Sequence, residues 1–231
     1  MPLWDYGLVA FLDVLGFSSY VRFDSRSVDP EHLQKLLDAL TEVRQSTIGK
    51  SVDLRAFSDS VILSAPFSLE GVGHLVSVVI GLQRIFIRRN VLVRGGIAFG
   101  KHFADANAIY SEALVTAYEL ERDHARFPRV LIDPNLFDWF INDNRLGLEL
   151  RDAVARNLLR DRDGRLFLHY LDAELLPAHE SLLRNYEPAQ LTASVLEKVQ
   201  WLAEYHNYTV SGIDGSKSIT LAFEAGFQVV Q

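Results

Sequence analysis

Two aspartates, Asp13 and Asp59, each stand at the end of an apolar, strand-like run, and Arg55 precedes the second by four residues. Asp13 closes GLVAFLDV, and Asp59 lies in the turn of RAFSDSVIL. Side chains alternate faces along an extended segment, so Arg55 and Phe57 project to one side, joined by Asp59 where the strand continues. Two acids offered from separate strand ends suit metal-assisted phosphate chemistry, because Mg²⁺ is usually held by one or two carboxylates together with substrate phosphate oxygens. Each residue also has a plainer reading. Asp13 can cap the next helix, Asp59 is a common turn former, and Arg55 can be an exposed edge-strand charge.

The elements that must position these residues are legible in the hydrophobic pattern. Residues 7–14 read as a buried strand, with Leu8 to Leu12 apolar without a break. Gly16 permits a sharp turn, with Ser18 or Ser19 as cap of a short helix. Asp29 as N-cap and Pro30 at the first helical position open a helix that buries Leu33, Leu36, Leu37, Leu40 and Val43 as one stripe. VDLRAF and SVILSA then form a hairpin around Ser58-Asp59-Ser60. A long helix over about 68–89 ends at Arg88 and Arg89, which suit its dipole. The strand VLVRGGIAFG follows, its glycines marking close backbone approach or a bulge.

Next come a helix over 111–124 with an apolar pattern through Leu114, Ala117, Tyr118 and Leu120, a short strand at 129–132, and a helix opened by Pro134. This order predicts an α+β fold: a split βαβ (βαββαβ) core with helices on one face of a mainly antiparallel sheet, plus extra C-terminal elements. Beyond Asn142 the pattern gives a charged helical stretch, a hairpin-like DGRLFLHYLD, and a helix at about 189–206. No Pro/Gly/Ser-rich linker intervenes, so residues 1–231 read as a single domain. Its core covers about 7–132 and a C-terminal extension about 133–210, while 211–231 is a terminal strand or a loose tail.

Composition narrows the function classes. The 231 residues are 48% hydrophobic and 23% charged, a globular balance. A net charge of −7 argues against nucleic acid as a partner, whereas metal ions can bridge an acidic protein to a polyphosphate. With no cysteines, disulfides, thiolate metal sites and cysteine nucleophiles are excluded. The N-terminus lacks a basic n-region and Asp13 interrupts its apolar run, so neither a signal peptide nor a membrane span is expected. The expected setting is cytoplasmic.

Four segments in order resemble the class III nucleotide cyclases: AFLDVLGFS, RAFSDSVIL, VRGGIAFG and YSEALVTAYELE. Within that family they look closest to the bacterial pyrimidine cyclases of the Pycsar anti-phage system. The resemblance covers about residues 7–132. It implies that Asp13 and Asp59, with the backbone carbonyl of Val14, hold two divalent cations, Mg²⁺ or Mn²⁺. Gly16, Phe17 and Ser18 match the turn whose amides hold a nucleoside triphosphate, and helix N-termini favour anions in any case. Arg55 falls where purine cyclases place a base-recognising lysine, and its guanidinium can address pyrimidine carbonyl oxygens.

The implied reaction is cyclisation of UTP to 3′,5′-cyclic UMP with release of pyrophosphate. The implied enzyme is a homodimer with sites at the subunit interface, its product read by a separate effector. The alternatives are a cytidylate cyclase or a degenerate module that binds nucleotide or dimerises without turnover.

The sequence also departs from the family. Purine cyclases carry an asparagine and an arginine in the helix after Ser111, where this chain has Val115 and Glu119. Arg94 and Arg122 are the candidate charge stabilisers, with Arg94 equally readable as a strand anchor. Glu119 and Glu121 read as a solvated helix face or dimer salt bridges. GIDGSKS resembles a phosphate loop but fails its spacing, the seven histidines show no metal spacing, and Trp139, Phe140 and Trp201 read as packing.

Overall fold

The computed structural model of the chain describes residues 4–142, 154–187, 191–213 and 228–229. Its first half runs β1 (Asp5–Val14), α1 (Phe17–Asp24), α2 (Glu31–Thr47), β2 (Asp53–Phe57), β3 (Ser60–Pro66), α3 (Leu69–Ile87), β4 (Val93–Ala104), β5 (Ile109–Ser111), α4 (Glu112–His124) and β6 (Val130–Ile132). Then follow α5 (Pro134–Asn142), β7 (Leu158–Arg160), β8 (Leu166–Leu168), α6 (Leu176–Arg184), α7 (Ala193–Ser211) and β9 (Gln228–Val229). The strands make one sheet of order β2-β3-β1-β4-β6-β8-β7-β9, with β5 paired to β4. Only β4–β6 is parallel among these pairs. The fold is α+β, with seven helices among the described residues.

The two faces of the sheet are covered differently. Leu8 and Ile97 line one small apolar space with Val72, Leu75 and Val76 of α3. The alternate residues meet α4. Phe11 packs edge-on against Tyr118, with ring centroids 5.4 Å apart, and a Cβ on Gly96 would fall 2.6 Å from the Ala117 carbonyl oxygen. The expectation of helices on one face is therefore corrected, since α4 occupies the other. The small residues Gly96, Ala98, Ala113 and Ala117 let α4 approach that closely. α3 is long and apolar enough to cross a membrane by length and composition, yet 61% of its apolar window is buried here as a core helix.

Local starts and stops agree with the sequence where the signal is short-range. Ser68 and Ser111 cap α3 and α4 by accepting from the N–H groups of Gly71 and Leu114, each at 3.0 Å. Arg88 is the C-cap of α3. The start of α2 differs: Pro30 is its N-cap, and the free N–H of Leu33 is taken at 2.7 Å by the carboxylate of Asp24, at the end of α1. Its stripe is only partly buried. Ala39 and Val43 pack inside, while Leu33 and Leu37 stay about half exposed because no described element covers that edge.

In the C-terminal part, DGRLFL forms the turn and second strand of a hairpin whose first strand lies upstream, at β7. α7 starts later and ends later than expected, reaching Ser211. Gln228 and Val229 pair with β7. Most of the charged stretch after Asn142, and nearly all of GIDGSKS, lie outside the described residues. Trp201 and Phe140 are buried, and Trp139 packs on Phe67, as packing residues should.

Candidate active site

Asp13 and Asp59 meet because the hairpin turn is pinned to the end of β1. Asp13 pairs with Ser60 across the β1–β3 ladder, and the Val14 N–H donates to the Asp59 carbonyl at 2.9 Å. Ser58 and Asp59 are the two loop residues, and Ser58 takes a positive φ of 56°. The backbone thus sets both acids beside one another, and the charge of Asp59 reaches Asp13.

Arg94 stands directly opposite Asp13 on β4, and the same face receives α4. Its Nε lies 3.1 Å from Asp13 Oδ2 and 2.8 Å from Glu121 Oε1. Its Nη1 donates to the Ala125 carbonyl at 3.4 Å. Glu121, expected on a solvated face, has a side chain only 5% exposed. This corrects the sequence reading. Burial pushes the Glu121 carboxyl up to about 7, opposed by Arg94 and reinforced by the charges of Asp13 and Asp59. Burial also raises Asp13 above its usual range, against the hydrogen bond and charge of Arg94.

Two acids therefore meet one guanidinium, and Asp59 is near enough for its charge to act on both of them. Among the described residues no group of three or more His, Asp or Glu side chains is arranged to hold a metal unaided. A donor set of two strand-end carboxylates nevertheless fits a hard divalent cation that completes its shell with backbone carbonyl, water and phosphate oxygens.

The sharp turn expected at Gly16 is formed, the glycine adopting a left-handed φ of 81° immediately before α1. The Gly16 carbonyl accepts from Ser19 and Tyr20, so the amides of Phe17 and Ser18 stand ahead of the first helical bond with no side-chain cap. Ser18 and Ser19 lie inside the helix and do not cap it. A cavity of about 470 Å³ opens next to this turn, lined among others by Val14, Phe17, Tyr20, His32 and Ser58.

Other candidates stay apart from the acids within one chain. Arg55 is ion-paired with Asp53 at 3.2 Å, and its charge acts on His102 and Asp105 near the β4–β5 arm. Arg122 is exposed and held by Asp123. Val115 and Glu119 face solvent.

No protein-family model matches the chain, and no curated protein matches its sequence. Solved structures do share its architecture. The monomeric guanylyl cyclase domain of the RhoGC fusion protein from the aquatic fungus Blastocladiella emersonii matches with a TM-score of 0.53 at 11% identity, over 71% of this chain and 94% of that one. A bacterial light-regulated adenylyl cyclase matches with a TM-score of 0.49 at 11% identity, over 80% and 99%. The adenylyl cyclase CyaB from P. aeruginosa matches at 0.47 and 16%, over 61% and 82%. At these identities the likeness is one of fold: the chain has the class III cyclase fold.

Proposed function

We propose that the protein is a nucleotide cyclase acting on a pyrimidine triphosphate, UTP by preference. The observation that carries this reading is the pairing of Asp13 with Asp59, fixed by the Val14–Asp59 backbone bond, beside an uncapped helix start at Gly16-Phe17-Ser18. Two divalent cations held by Asp13, Asp59 and the Val14 carbonyl would lower the pKa of the ribose 3′-hydroxyl and neutralise the leaving pyrophosphate. The chain's own groups do the rest. The Phe17 and Ser18 amides bind the triphosphate, and Arg94 turns its guanidinium to a phosphate oxygen. Arg55, paired with Asp53 and apart from Asp13 and Asp59 of its own chain, addresses the base in a site completed by a second copy, which makes the active form a homodimer. On the resemblance to the Pycsar cyclases, the cyclic nucleotide is a signal in bacterial anti-phage defence, read by a separate effector.

A cytidylate cyclase is the nearest alternative. Val115 and Glu119, exposed where an asparagine and an arginine are the family's pattern, favour the other reading of a binding module without turnover.

The test is incubation of the full chain with ATP, GTP, CTP or UTP and Mg²⁺ or Mn²⁺, with an Asp13→Ala/Asp59→Ala double variant as blank. One cyclic pyrimidine absent from the blank is the expected result. A cyclic purine as main product removes the role of Arg55, and no product from any nucleotide favours the module. Asp59→Ala alone is expected to abolish cyclisation while the melting temperature stays near wild type, because a turn acid does not support the core.

A further inference from the structure

We propose that Glu121 is the second seat of the Arg94 guanidinium, the carboxylate that takes over its Nε–H when Asp13 is committed to a metal ion. The inference deepens the cyclase reading and rests on Asp13 being a metal ligand.

An arginine Nε carries one N–H, and in this structure it is aimed at Asp13 Oδ2, 3.1 Å away. Glu121 Oε1 lies closer to the same nitrogen, at 2.8 Å, but off the N–H direction, and that oxygen has no hydrogen-bond partner. A buried carboxylate oxygen without a donor is unfavourable and calls for a cause. Two acceptors flank one donor, and only one can be satisfied at a time.

The placement of Glu121 is built into the packing. Gly96 admits the backbone of α4 at Ala117, and Glu121 follows Ala117 by one helical turn, on the same face. Below it the Ala125 carbonyl accepts from Arg94 Nη1, so the guanidinium is tethered to α4 whichever acid holds its Nε. A small reorientation of the arginine moves the N–H from β1 to α4. Asp13 is thereby freed without leaving Arg94 unpaired beside incoming cations, and the guanidinium stays next to the site.

Glu121 is thus a positioning residue, and its effect must run through Arg94. The test is Mn²⁺ binding to the full chain without nucleotide, followed by the paramagnetic signal of free Mn²⁺. The set comprises wild type, Glu121→Gln, Glu121→Asp, Arg94→Gln, the Arg94→Gln/Glu121→Gln double variant, and Asp13→Asn/Asp59→Asn as blank.

Glu121→Gln is expected to weaken Mn²⁺ binding about tenfold, because Asp13 must then hold Arg94 alone, while the same change in the Arg94→Gln background has an effect of less than about twofold. Glu121→Asp, which keeps the charge, is expected to restore most of the affinity. An equal loss in both backgrounds overturns the proposal, since Glu121 would then act on the metal or the fold directly. No loss on Glu121→Gln overturns it too. Binding that persists in the Asp13→Asn/Asp59→Asn blank instead removes the metal site itself, and the inference with it. Melting curves of each variant separate either result from unfolding.

Discussion

Arg94 and Arg129 lie close together in the sheet, the Gly95 N–H donating to the Arg129 carbonyl at 3.1 Å, and each faces acids. They are resolved in opposite ways. The Arg129 side chain is 1% exposed and ion-paired with both Asp161 and Asp163. Asp161 also accepts the indole N–H of Trp201 at 2.7 Å and the Arg162 amide at 2.6 Å. Asp163 takes the Arg165 amide at 3.1 Å, and the Phe127 ring lies under the guanidinium with its centroid 5.4 Å away. Burial would raise Asp163, but its hydrogen bonds from Arg129 hold it below the usual carboxylate range. Arg94 is half-buried among Asp13, Glu121 and the nearby Asp59, with one acid raised, another at about 7, and one oxygen unpartnered. Acids around an arginine do not by themselves make a site. Carboxylates whose oxygens are taken mark a clamp, even though the Arg129 Nε itself has no partner, and an unpartnered carboxylate oxygen marks a place with room for another cation.

The sharpest way to break this contrast is to remove each cation in turn. Arg129→Ala leaves two acids unpaired, one of them fully buried, and is expected to cost about 3–5 kcal/mol in urea unfolding. Arg94→Ala removes a half-exposed charge beside acids already prone to protonation, and is expected to cost less than about 1 kcal/mol while abolishing cyclisation. Equal stability losses would erase the distinction. Next in size is Gly96→Val, whose side chain meets the Ala117 carbonyl oxygen and Leu120. Overpacking there is expected to cost about 1–3 kcal/mol, read from the urea midpoint, and to lift Glu121 away from Arg94.

These positions also show what the sequence could reveal. The hairpin turn, the Gly16 turn and the close approach at Gly95-Gly96 were legible because each is decided within a few residues. Glu121 was not, since YELERD looks like a solvated helix face. The signal was present in Ala113 and Ala117, four residues apart and both fully buried, whose next position on that face is Glu121. The second sheet face was missed for the same reason, because small residues carry little weight in a hydrophobic pattern. The cap from Asp24 and the clamp from Asp161 depend on partners brought in by tertiary structure, 9 and 32 residues away, which periodicity does not report.

The smallest effect is a pH dependence that separates the packed C-terminal part from the site by its sign. His179 of α6 and His206 of α7 are both buried, with Nδ1 atoms 3.2 Å apart, so one neutral ring donates to the other. Burial pushes His179 down to about 3, helped by His206, and lowers His206 against the charge of Glu180. His169, bonded to the Tyr205 hydroxyl, is likewise pushed to about 4 by burial. The unfolded chain takes up these protons near 6.5 and the folded one does not, so stability is lost as pH falls below about 6.5, by at most about 1.4 kcal/mol per pH unit for each histidine. Glu121 acts in the reverse direction. Its folded value of about 7 lies above the ordinary 4.5, so between those values the folded state holds a proton the unfolded state has released, and stability is lost as pH rises from about 4.5 to 7 and no further above that. In metal-free buffer this loss partly offsets the histidine gain, and the urea midpoint should climb to a maximum near pH 6.5 and level off by about pH 7. His179→Asn should flatten that climb, and Glu121→Gln should steepen it. If Glu121→Gln leaves the climb unchanged, the carboxylate is already satisfied in the folded chain, and the two arginine clusters are alike after all.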